Sequence, residues 1–542
     1  MQRAETIFVN GRFLTMEKEN EIAEAVAVAG GRILFVGSEK EARAFVDEDT
    51  QVIDLGGRVV SPGLIDCHTH PMGSFTSRFI TIDFRGEKTA SLKNLLACLA
   101  EKAKTTPEGE WIVGRGYDES KFAEGEITIT ADMLDQVSDR HPICITRTCG
   151  HIGVVNHMAL KLAGLTDESP NPATGGHLFR DEKGRLTGML SGSALGKIPT
   201  PVIKPAQKKE AMISGVQADY FRKGIVATGE MGSVTTSFRY MQQLEKEERL
   251  KLRVGYYCVG RRSGNAQPMA QRMMDMGLTT GFGTEHVRFM GIKFVMDGST
   301  GGHTAAFSKN YLGEPDNYGE LYFDPAILRE DLLKAAKGGV QVSIHAIGDR
   351  AIEMALSAIE YVNEQGVDTR PLRYRLEHVE SPTPDQIQRI KKLNISVALS
   401  SAFIYSLGDS HLAALGYDRL VDAFPAKTLM DEGIVVACNS DCPVCDVNPM
   451  LGIYSMVNRT TEKGQSFGGK KEAVSRFAAL ESYTKNAAYV LCCEDTSGTL
   501  KTGKFADLTV FEDDFLSVPD EALKDVQIHM TVSGGEIVYQ NK

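Results

Sequence analysis

The chain has 542 residues, which is long enough for one large domain with an accessory domain, or for two or more domains. Hydrophobic residues make up 42% and charged residues 24%, as in soluble globular proteins, so the composition excludes wholesale disorder. The net charge of −11 lacks the excess of cations that nucleic-acid-binding proteins use to displace phosphate counterions.

The ten cysteines lie mostly in apolar stretches without paired zinc-ribbon spacing, which favours reduced thiols over disulfides. The N-terminus has no apolar run typical of a signal peptide. No stretch of about 18 uninterrupted apolar residues is present to span a membrane. We therefore expect a cytoplasmic protein without nucleic-acid or membrane partners.

Both ends of the chain are predicted to be β-structure. Residues 1–60 contain short apolar segments separated by Asn-Gly and Gly-Gly turns, a pattern typical of β-hairpins. Residues 497–542 repeat this pattern in TGKFADLTVF and IHMTVSGGEIVYQNK. One small β-domain built from both termini explains this arrangement, and two unrelated terminal hairpins are the alternative.

The middle of the chain, residues 61–496, alternates strand-like and helix-like segments. Such alternation predicts a parallel sheet with right-handed crossovers, either an open doubly wound sheet or a (β/α)₈ barrel. No G-x-G-x-x-G follows the first strand, and polar residues at the ends of successive strands favour the barrel. Residues 75–200 are irregular and rich in charge and glycine, and we predict an insertion there that covers the barrel mouth.

His68 and His70 form the first candidate metal site, in the segment SPGLIDCHTH. Side chains alternate along a strand, so two histidines separated by one residue point the same way. Two adjacent imidazoles suit a metal ion, although an isolated H-x-H is equally compatible with paired surface histidines.

Lys293 lies in the strand-like segment VRFMGIKFVMD. Strict alternation places it on the same face as Val287, Phe289 and Val295, so its ammonium group is predicted to be buried. A buried ammonium requires a carboxylate partner, deprotonation for Schiff-base chemistry, or carboxylation into an anionic metal bridge. A lysine that snorkels at the strand end is the remaining alternative.

Three more polar residues end strand-like segments: His345 in VQVSIHA, His378 in RYRLEHVE and Asp441 in IVVACNSDCP. Each one alone is explained as a hydrogen-bonded core residue. Together with the H-x-H pair and Lys293, they predict a convergent site at one face of the barrel. Imidazoles and carboxylates bind one or two divalent ions, and we predict zinc.

These segments resemble the amidohydrolase superfamily nearly from end to end. The resemblance is strongest to its amidohydrolase family 3 branch, the YtcJ-like proteins that include N-substituted formamide deformylase. It rests on PGLIDCHTH, WIVGRGYDES, GHIGVVNHMAL, GIKFVMDGSTGGHTAAF, IHAIGDRAI, RLEHVE and NSDCPV. The resemblance implies an α/β fold: a metal-dependent hydrolase (β/α)₈ TIM-like barrel with a composite β-sandwich domain from both termini.

The resemblance also implies roles for individual residues. His68 and His70 would be ligands from the first barrel strand, and Lys293 would be the bridging lysine that binuclear members carboxylate. His345 and His378 would be ligands from the fifth and sixth strands. Asp441 would be the carboxylate of the eighth strand, which binds the metal and shuttles a proton.

The chain departs from the family pattern at two positions. His303 stands where an arginine is common, and Glu230 stands where an aspartate is common. Both differences concern substrate contacts or residues that support the ligands. The predicted substrate contacts are His151, His303 and Trp111, with a helix-cap role as the alternative for His151 and a core position as the alternative for Trp111.

The leading hypothesis is a zinc-dependent hydrolase of a small molecule with a non-peptide C–N bond. The bond would belong to an amide, an N-substituted formamide or an N-acyl compound, and metal-activated hydroxide would attack it. A deaminase of a cyclic amidine or purine-like substrate is the alternative, because it uses the same chemistry. A catalytically inactive scaffold is disfavoured because every proposed ligand position is filled. The oligomeric state stays open, although homodimers are common among such enzymes.

Overall fold

The structure, a computed structural model, describes residues 3–19, 21–71, 81–85, 90–125, 127–172, 175–199, 209–233, 235–260 and 269–541. Residues 75–80 and several shorter stretches of the predicted insertion lie outside the described residues. The ten cysteines all belong to the described part, and none of them forms a disulfide. Within these ranges, no helix is both long and apolar enough to cross a membrane.

The described residues form 25 strands. In chain order they are β1 (Thr6–Val9), β2 (Arg12–Leu14), β3 (Ile22–Ala23), β4 (Ala25–Ala29), β5 (Arg32–Gly37), β6 (Gln51–Asp54), β7 (Val59–Pro62), β8 (Leu64–Thr69), β9 (Thr81–Asp83), β10 (Ile112–Tyr117), β11 (Ile143–Arg147), β12 (Ile152–Val155), β13 (Leu178–Arg180), β14 (Leu186–Ser191), β15 (Ile225–Ser233), β16 (Arg253–Val259), β17 (Phe282–Gly283), β18 (Val287–Val295), β19 (Gln341–Ala346), β20 (Arg375–His378), β21 (Ser396–Leu399), β22 (Val436–Cys438), β23 (Leu508–Phe511), β24 (Ile528–Ser533) and β25 (Glu536–Gln540).

The helices lie mostly between the strands. The described α-helices are Glu39–Ala42, Leu92–Thr105, Ala131–Asp135, His157–Leu162, Gly192–Leu195, Ala218–Arg222, Thr235–Lys246, Met269–Asp275, Pro325–Lys337, Asp349–Glu364, Pro384–Lys392, Ala402–Ser406, Gly408–Leu415, Tyr417–Leu420, Ala426–Asp431, Pro449–Asn458, Arg476–Ser482 and Lys485–Val490. A π-helix spans Ala211–Gln217, and short 3₁₀ turns span Arg43–Phe45, Glu119–Lys121, Arg370–Leu372 and Asp520–Asp525.

Eight parallel strands form a nearly closed barrel. They follow one another in chain order, with β8, β15, β16, β18, β19, β20, β21 and β22 as successive neighbours. Beyond the ends of β22 and β8, the Asp441 N–H donates to the His68 carbonyl at 3.1 Å. The His70 N–H donates to the Cys442 carbonyl at 2.6 Å. The predicted (β/α)₈ barrel is therefore confirmed, and the open sheet is excluded.

The crossover helices pack on the outside of this barrel because their apolar residues recur at helical spacing. Helix Asp349–Glu364 buries one face, and its residues share a hydrophobic cluster with Val342 and Ile344 of β19. Helix Pro384–Lys392 begins at a capping box between Thr383 and Gln386. Each buried aliphatic side chain of this kind contributes about 1.5–3 kcal/mol. This packing holds the parallel strands side by side. The polar residues that follow the strands therefore meet at one face of the barrel.

Two sheets contain the chain ends. One has the order β5-β4-β1-β6, and the other joins strands of both termini in the order β25-β24-β23-β7-β2-β3. Across that junction, β23 pairs antiparallel with β7. Phe8, Val28, Val60, Leu508 and Val532 belong to one buried cluster between the sheets. Strands from both termini therefore form a sandwich, while the limits 1–60 and 497–542 stay a prediction.

The described residues between β8 and β15 are not irregular, contrary to the prediction. They contain a six-stranded sheet in the order β13-β14-β12-β11-β10-β9, covered by helix Leu92–Thr105 through Leu95 and Leu99. Their glycines concealed the strands, since glycine ordinarily weakens a strand interior. In β10, a Cβ at Gly114 would lie 1.9 Å from the Phe84 ring, so glycine is required there by packing.

Candidate active site

A cavity of about 770 Å³ opens at the face where the barrel strands end. His345, His378 and Asp441 line it from the barrel. His151 and the segment 177–180 line it from the insertion. Active sites of (β/α)₈ barrels lie at this face, because the loops that follow the strands converge there.

His68, His70 and Asp441 form a compact group of potential ligands at this cavity, and a second group, Asp132, Asp135 and His157, lies in the insertion. One ligand atom of each lies within 4.8 Å of the others. Asp441 Oδ1 is 3.2 Å from His68 Nε2 and 3.0 Å from His70 Nε2. His68 lies in β8 and His70 directly follows it, and Asp441 follows β22, the strand next to β8 at the barrel closure.

Asp441 has an unusual backbone conformation, with a φ of 51°. His378 also lies in the left-handed region, with a φ of 74°. Non-glycine residues rarely adopt this region, and such strain concentrates at functional sites. The backbone therefore turns two predicted ligands away from regular strand geometry at the points where β20 and β22 end.

His378 presents an unprotonated nitrogen to the site. The Ser400 hydroxyl donates to Asn439 Oδ1 at 2.8 Å, so its oxygen accepts from His378 Nδ1 at 2.7 Å. With the proton on Nδ1, the lone pair is on Nε2, which is buried without a hydrogen-bond partner in the described chain. Burial and the neighbouring His345 hold the pKa of His378 well below its usual value.

His345 has the opposite orientation. Its Nε2 donates to the Gly298 carbonyl at 2.9 Å, which leaves the lone pair on Nδ1. Its ring lies 4.5 Å from the ring of His378, measured between centroids. Neither His345 nor His378 belongs to the tight group of His68, His70 and Asp441. Five of the predicted ligands therefore lie at the same face of the barrel. His68, His70 and Asp441 form one compact group, and His345 and His378 form a neighbouring pair.

Lys293 is buried, as predicted, but it does not lie on the same face of the strand as Phe289. The pairing of β16 with β18 shifts register, because Tyr256 pairs with Phe289 and Tyr257 pairs with Gly291. Phe289 packs in the cluster of the outer helices, whereas Lys293 pairs with Ser343 of β19, whose hydroxyl donates to Glu377. Strict alternation failed because a β-bulge inserts one residue in this strand.

The Lys293 ammonium group has no hydrogen-bond partner in the described part of the chain. Burial lowers the pKa of Lys293 to about 8, although the negative charges of Glu377 and Asp441 partly oppose this shift. With a pKa of about 8, roughly a tenth of this lysine is neutral amine at pH 7, far more than for a lysine with its usual pKa. Among the three resolutions that the sequence left open, this environment is compatible with carboxylation.

Two buried charges that the sequence analysis missed support the ligands. Glu377 Oε2 accepts from His68 Nδ1 at 2.6 Å, and Arg375 Nε donates to Glu377 Oε1 at 2.5 Å. Both side chains are completely buried. Burial raises the pKa of Glu377, but the charge of Arg375 together with the charge and hydrogen bond of His68 and the charge of Lys293 outweighs it, so this pKa stays well below its usual value. The signal was the R-x-E spacing in RLEH, which places both residues on one face of β20.

Asp66 was also missed. Its Oδ2 accepts from the Ser440 hydroxyl at 2.6 Å, and its carboxylate accepts from the Ser440 N–H at 3.2 Å. These bonds orient the turn that carries Asp441. Burial raises the pKa of Asp66 to about 7 despite the hydrogen bonds with Ser440. Asp66 precedes His68 by two residues on the same strand, and this D-x-H spacing was the available signal.

One contact, between His68 Nε2 and Asp441 Oδ1, indicates that these residues suit a divalent metal ion. His68 Nδ1 donates to Glu377, so the lone pair of His68 Nε2 faces Asp441 Oδ1 at 3.2 Å. Two acceptors in this position repel each other unless a proton or a cation lies between them. Burial and the charge of Lys293 lower the pKa of His68, which disfavours the proton. Nitrogen and carboxylate donors together suit zinc and related ions.

The predicted substrate contacts differ in their placement. His151 lines the cavity, and burial with the nearby His345 lowers its pKa to about 4, so the imidazole is neutral. His303 also lines the cavity, where its Nδ1 lies 2.6 Å from Glu314 Oε1 and its ring stacks on Tyr311. Trp111 is not among the described lining residues, and it packs against an apolar cluster of the insertion. Its core position is therefore the better interpretation.

The fold and this site define a class of hydrolase, and comparison with known proteins identifies the family. The chain belongs to the amidohydrolase family, whose model matches residues 51–539. The protein is therefore a metal-dependent hydrolase of the amidohydrolase superfamily.

Three relatives match over almost their whole length. Protein LONG AFTER FAR-RED 3 of Arabidopsis thaliana is 30% identical, over 99% of this chain and 92% of its own. The putative amidohydrolase YtcJ of Bacillus subtilis is 28% identical, over 98% and 99%. The N-substituted formamide deformylase of Arthrobacter pascens is 25% identical, over 99% of both chains. The predicted YtcJ-like resemblance is confirmed.

A solved structure supports the same assignment. An uncharacterised metal-dependent hydrolase from Pyrococcus furiosus superimposes with a TM-score of 0.73 and 26% sequence identity. The match covers 94% of this chain and 100% of that one. Both the barrel and the additional sheets therefore belong to an architecture already seen in a metal-dependent hydrolase.

Proposed function

We propose that this protein hydrolyses a non-peptide C–N bond in a small amide, an N-substituted formamide or an N-acyl compound. The observation that carries the proposal is the lone pair on His68 Nε2 that faces Asp441 Oδ1 at 3.2 Å, a contact that a bound cation would stabilise and for which the lowered pKa of His68 disfavours a proton. The similarity to an N-substituted formamide deformylase supports the choice of bond. A cavity of about 770 Å³ is sufficient for a small molecule.

The metal is proposed to be zinc, as one or two ions. His68, His70 and Asp441 would hold the first ion, since their ligand atoms lie closest together. His345 and His378, with Lys293 after carboxylation, would hold a second. A divalent ion at such a site lowers the pKa of water and polarises a carbonyl oxygen.

Carboxylation of Lys293 would replace a buried ammonium group that has no hydrogen-bond partner in the described part of the chain. The neutral amine attacks CO₂, a nitrogen–carbon bond forms, and the amine releases one proton, which leaves an anionic carbamate. The lowered pKa of Lys293 supplies the neutral amine that this reaction needs. Lys293 Nζ is buried without a hydrogen-bond partner among the described residues, and as part of a carbamate it would carry oxygens that can bind the metal.

Asp441 is proposed to move the proton during hydrolysis. Its carboxylate accepts a proton from the attacking water and then gives that proton to the leaving nitrogen. His151 lines the cavity as a neutral imidazole, so it can donate a hydrogen bond to the oxygen that becomes negative in the transition state. Neutral histidine performs this role without adding a second positive charge.

A product assay on a substrate panel tests the proposal. Metal-loaded protein is incubated with N-substituted formamides, N-acyl amines, cyclic amidines and purines, and formate, other carboxylates and ammonia are quantified. Release of a carboxylate with an equimolar amine supports the proposed reaction. Release of ammonia from an amidine would instead establish the deaminase. Absence of turnover on the whole panel, with metal bound, would favour the inactive scaffold.

A further inference from the structure

Glu380 is a buried carboxylate at the cavity that the proposed chemistry does not use. It follows β20 and lines the cavity, with 1% of its surface exposed. Its Oε2 accepts from the Thr300 hydroxyl at 2.6 Å and from His411 Nε2 at 3.1 Å. Its Oε1 has no hydrogen-bond partner in the described part of the chain.

The partner of Glu380 on the helix Gly408–Leu415 is a protonated histidine. His411 Nδ1 lies 2.8 Å from the Leu407 carbonyl, and its Nε2 faces Glu380, so both ring nitrogens face acceptors. An imidazole in this arrangement carries both protons. Burial lowers the pKa of His411, but the charge of Glu380 and the two hydrogen bonds outweigh it, so this pKa is raised.

Only one of the two carboxylate oxygens of Glu380 accepts hydrogen bonds within the described part of the chain. Thr300 lies in the loop after β18, and His411 lies in helix Gly408–Leu415, so Oε2 connects two further parts of the cavity wall. Buried Asp297 offers a comparison, since its Oδ1 accepts from Ile347 and its Oδ2 from Gly348. A carboxylate that only connected loops would use both oxygens in this way, whereas the buried Oε1 of Glu380 has no partner in the described part of the chain.

The charge of the cavity indicates which partner suits that oxygen. The described lining residues include seven acidic side chains against three cations, which are Arg147, Arg180 and the protonated His411. Arg147 is itself paired with Glu119. A surplus of carboxylates in a partly enclosed cleft concentrates cations, and a carboxylate oxygen accepts the strongest hydrogen bonds from charged donors.

We propose that Glu380 Oε1 binds a protonated amine of the substrate, so that the substrate is a small amide with a second, cationic amino group. This inference rests on the proposed amide hydrolysis. Glu380 is a specificity-determining residue: it binds the cationic end, while the amide lies at the metal site. Substrates without the amine fill the same cavity but leave Oε1 unpaired.

Binding measurements test this inference independently of turnover. Hexylammonium and 1-hexanol are titrated into the metal-loaded protein at pH 7 by calorimetry, with wild type, Glu380→Gln and Glu472→Gln. We expect wild type to prefer hexylammonium by about tenfold or more, and Glu380→Gln to lose this preference without weaker hexanol binding. Glu472 is the matched control, because it is buried and bound to Thr428.

The possible outcomes separate the two hypotheses. Equal binding of both probes by wild type, or an unchanged preference in Glu380→Gln, would overturn the inference. Weaker binding of both probes in Glu380→Gln would assign Glu380 a structural role only. If that variant does not fold, the preference of the wild type alone decides. If hexylammonium selectivity is present but no amide is hydrolysed, the proposed function fails while the cation site remains.

Kinetics provide a second readout once turnover is found. N-alkylformamides with a terminal ammonium group are compared with chains that end in a methyl group. We expect Glu380→Gln to raise KM for the ammonium series by about tenfold with little change in kcat, because the interaction is made equally in ground and transition states. Unchanged KM for the ammonium series would contradict the inference.

Discussion

The buried polar and charged side chains of the barrel form two groups that differ in how completely they are hydrogen-bonded. Arg375 donates to both oxygens of Glu377 and to the Cys67 carbonyl, and Glu377 also accepts from His68. In the second group, Lys293 Nζ, His378 Nε2 and Asp441 Oδ1 have no hydrogen-bond partner in the described chain. Both groups are almost completely shielded from solvent.

This difference separates residues that support the site from residues that perform its chemistry. A buried polar group without a hydrogen bond costs about 1–3 kcal/mol of stability. Lys293, His378 and Asp441 therefore lower the stability of the protein as long as these atoms lack partners. The unpaired atoms lie together at the cavity, which indicates that their partners are ions, CO₂ or substrate. Variants of the two groups should therefore change different properties.

The largest expected effect is on catalysis. Asp441→Asn removes the carboxylate that accepts and returns the proton, so we expect kcat to fall by about 10³-fold. The amide oxygen can still bind metal, so most of the metal should remain in elemental analysis of the variant. A variant that keeps normal turnover would remove Asp441 from the proton transfer.

The next effect is on stability, and it has opposite signs in the two groups. Arg375→Met leaves the Glu377 carboxylate buried without its cation, so we expect a loss of about 3–5 kcal/mol in free energy of unfolding. Lys293→Met removes an unpaired buried ammonium from the metal-free protein, so we expect a gain of about 3 kcal/mol near pH 7. Denaturant unfolding of both variants measures the two values.

The gain in Lys293→Met should depend on pH. The pKa of Lys293 falls from its usual 10.5 to about 8 on folding, so the native state releases this proton first. The penalty is complete below pH 8 and disappears as the pH approaches 10.5. The variant and wild type should therefore converge in stability at alkaline pH. A difference that does not change with pH would show that the lysine is not buried as a cation.

Glu377→Gln should have a smaller effect on metal binding. Glu377 holds the proton of His68 on Nδ1 and thereby keeps the lone pair on Nε2. Loss of such a partner weakens metal affinity by about 10–100-fold, which a competing chelator can measure. Glu472→Gln is the control, because that carboxylate binds Thr428 instead. Equal affinities in all three proteins would contradict the supporting role of Glu377.

The smallest expected effect concerns the ion pair of Glu380 and His411. The pKa of His411 is raised on folding, so its protonation stabilises the native state fully below its unfolded pKa. This contribution disappears as the pH rises through the folded pKa. The stability difference between wild type and His411→Gln should therefore shrink with rising pH in thermal unfolding. A difference that grows with pH would show that His411 is neutral in the native state.

Most of the barrel and the tight ligand group could be predicted because their signals are local. His68 and His70 are two residues apart on one strand, and Asp441 directly follows an apolar run. The face of Lys293 could not be predicted, because the bulge in β18 depends on pairing with β16. The sheet of the insertion was missed because packing of Phe84 on Gly114 imposes a glycine within a strand.

The residues missed at the site share another property, since their partners are far away in the sequence. Glu377 contacts His68 across 309 positions, and Asp66 contacts Ser440 across 374. The partners of Glu380 are 80 and 31 residues distant. A charged residue in an apolar strand indicates that a partner exists, but only the closed barrel shows which residue it is.

The central claim is that His68, His70 and Asp441 bind a catalytic divalent ion, and a zinc titration of chelated protein tests it most directly. Calorimetry should show tight binding of one or two Zn²⁺ per chain in wild type and loss of the tightest site in His68→Ala. The same titration should restore hydrolysis of the best substrate in parallel with occupancy. Absence of stoichiometric binding in wild type, or identical binding in His68→Ala, would contradict the account.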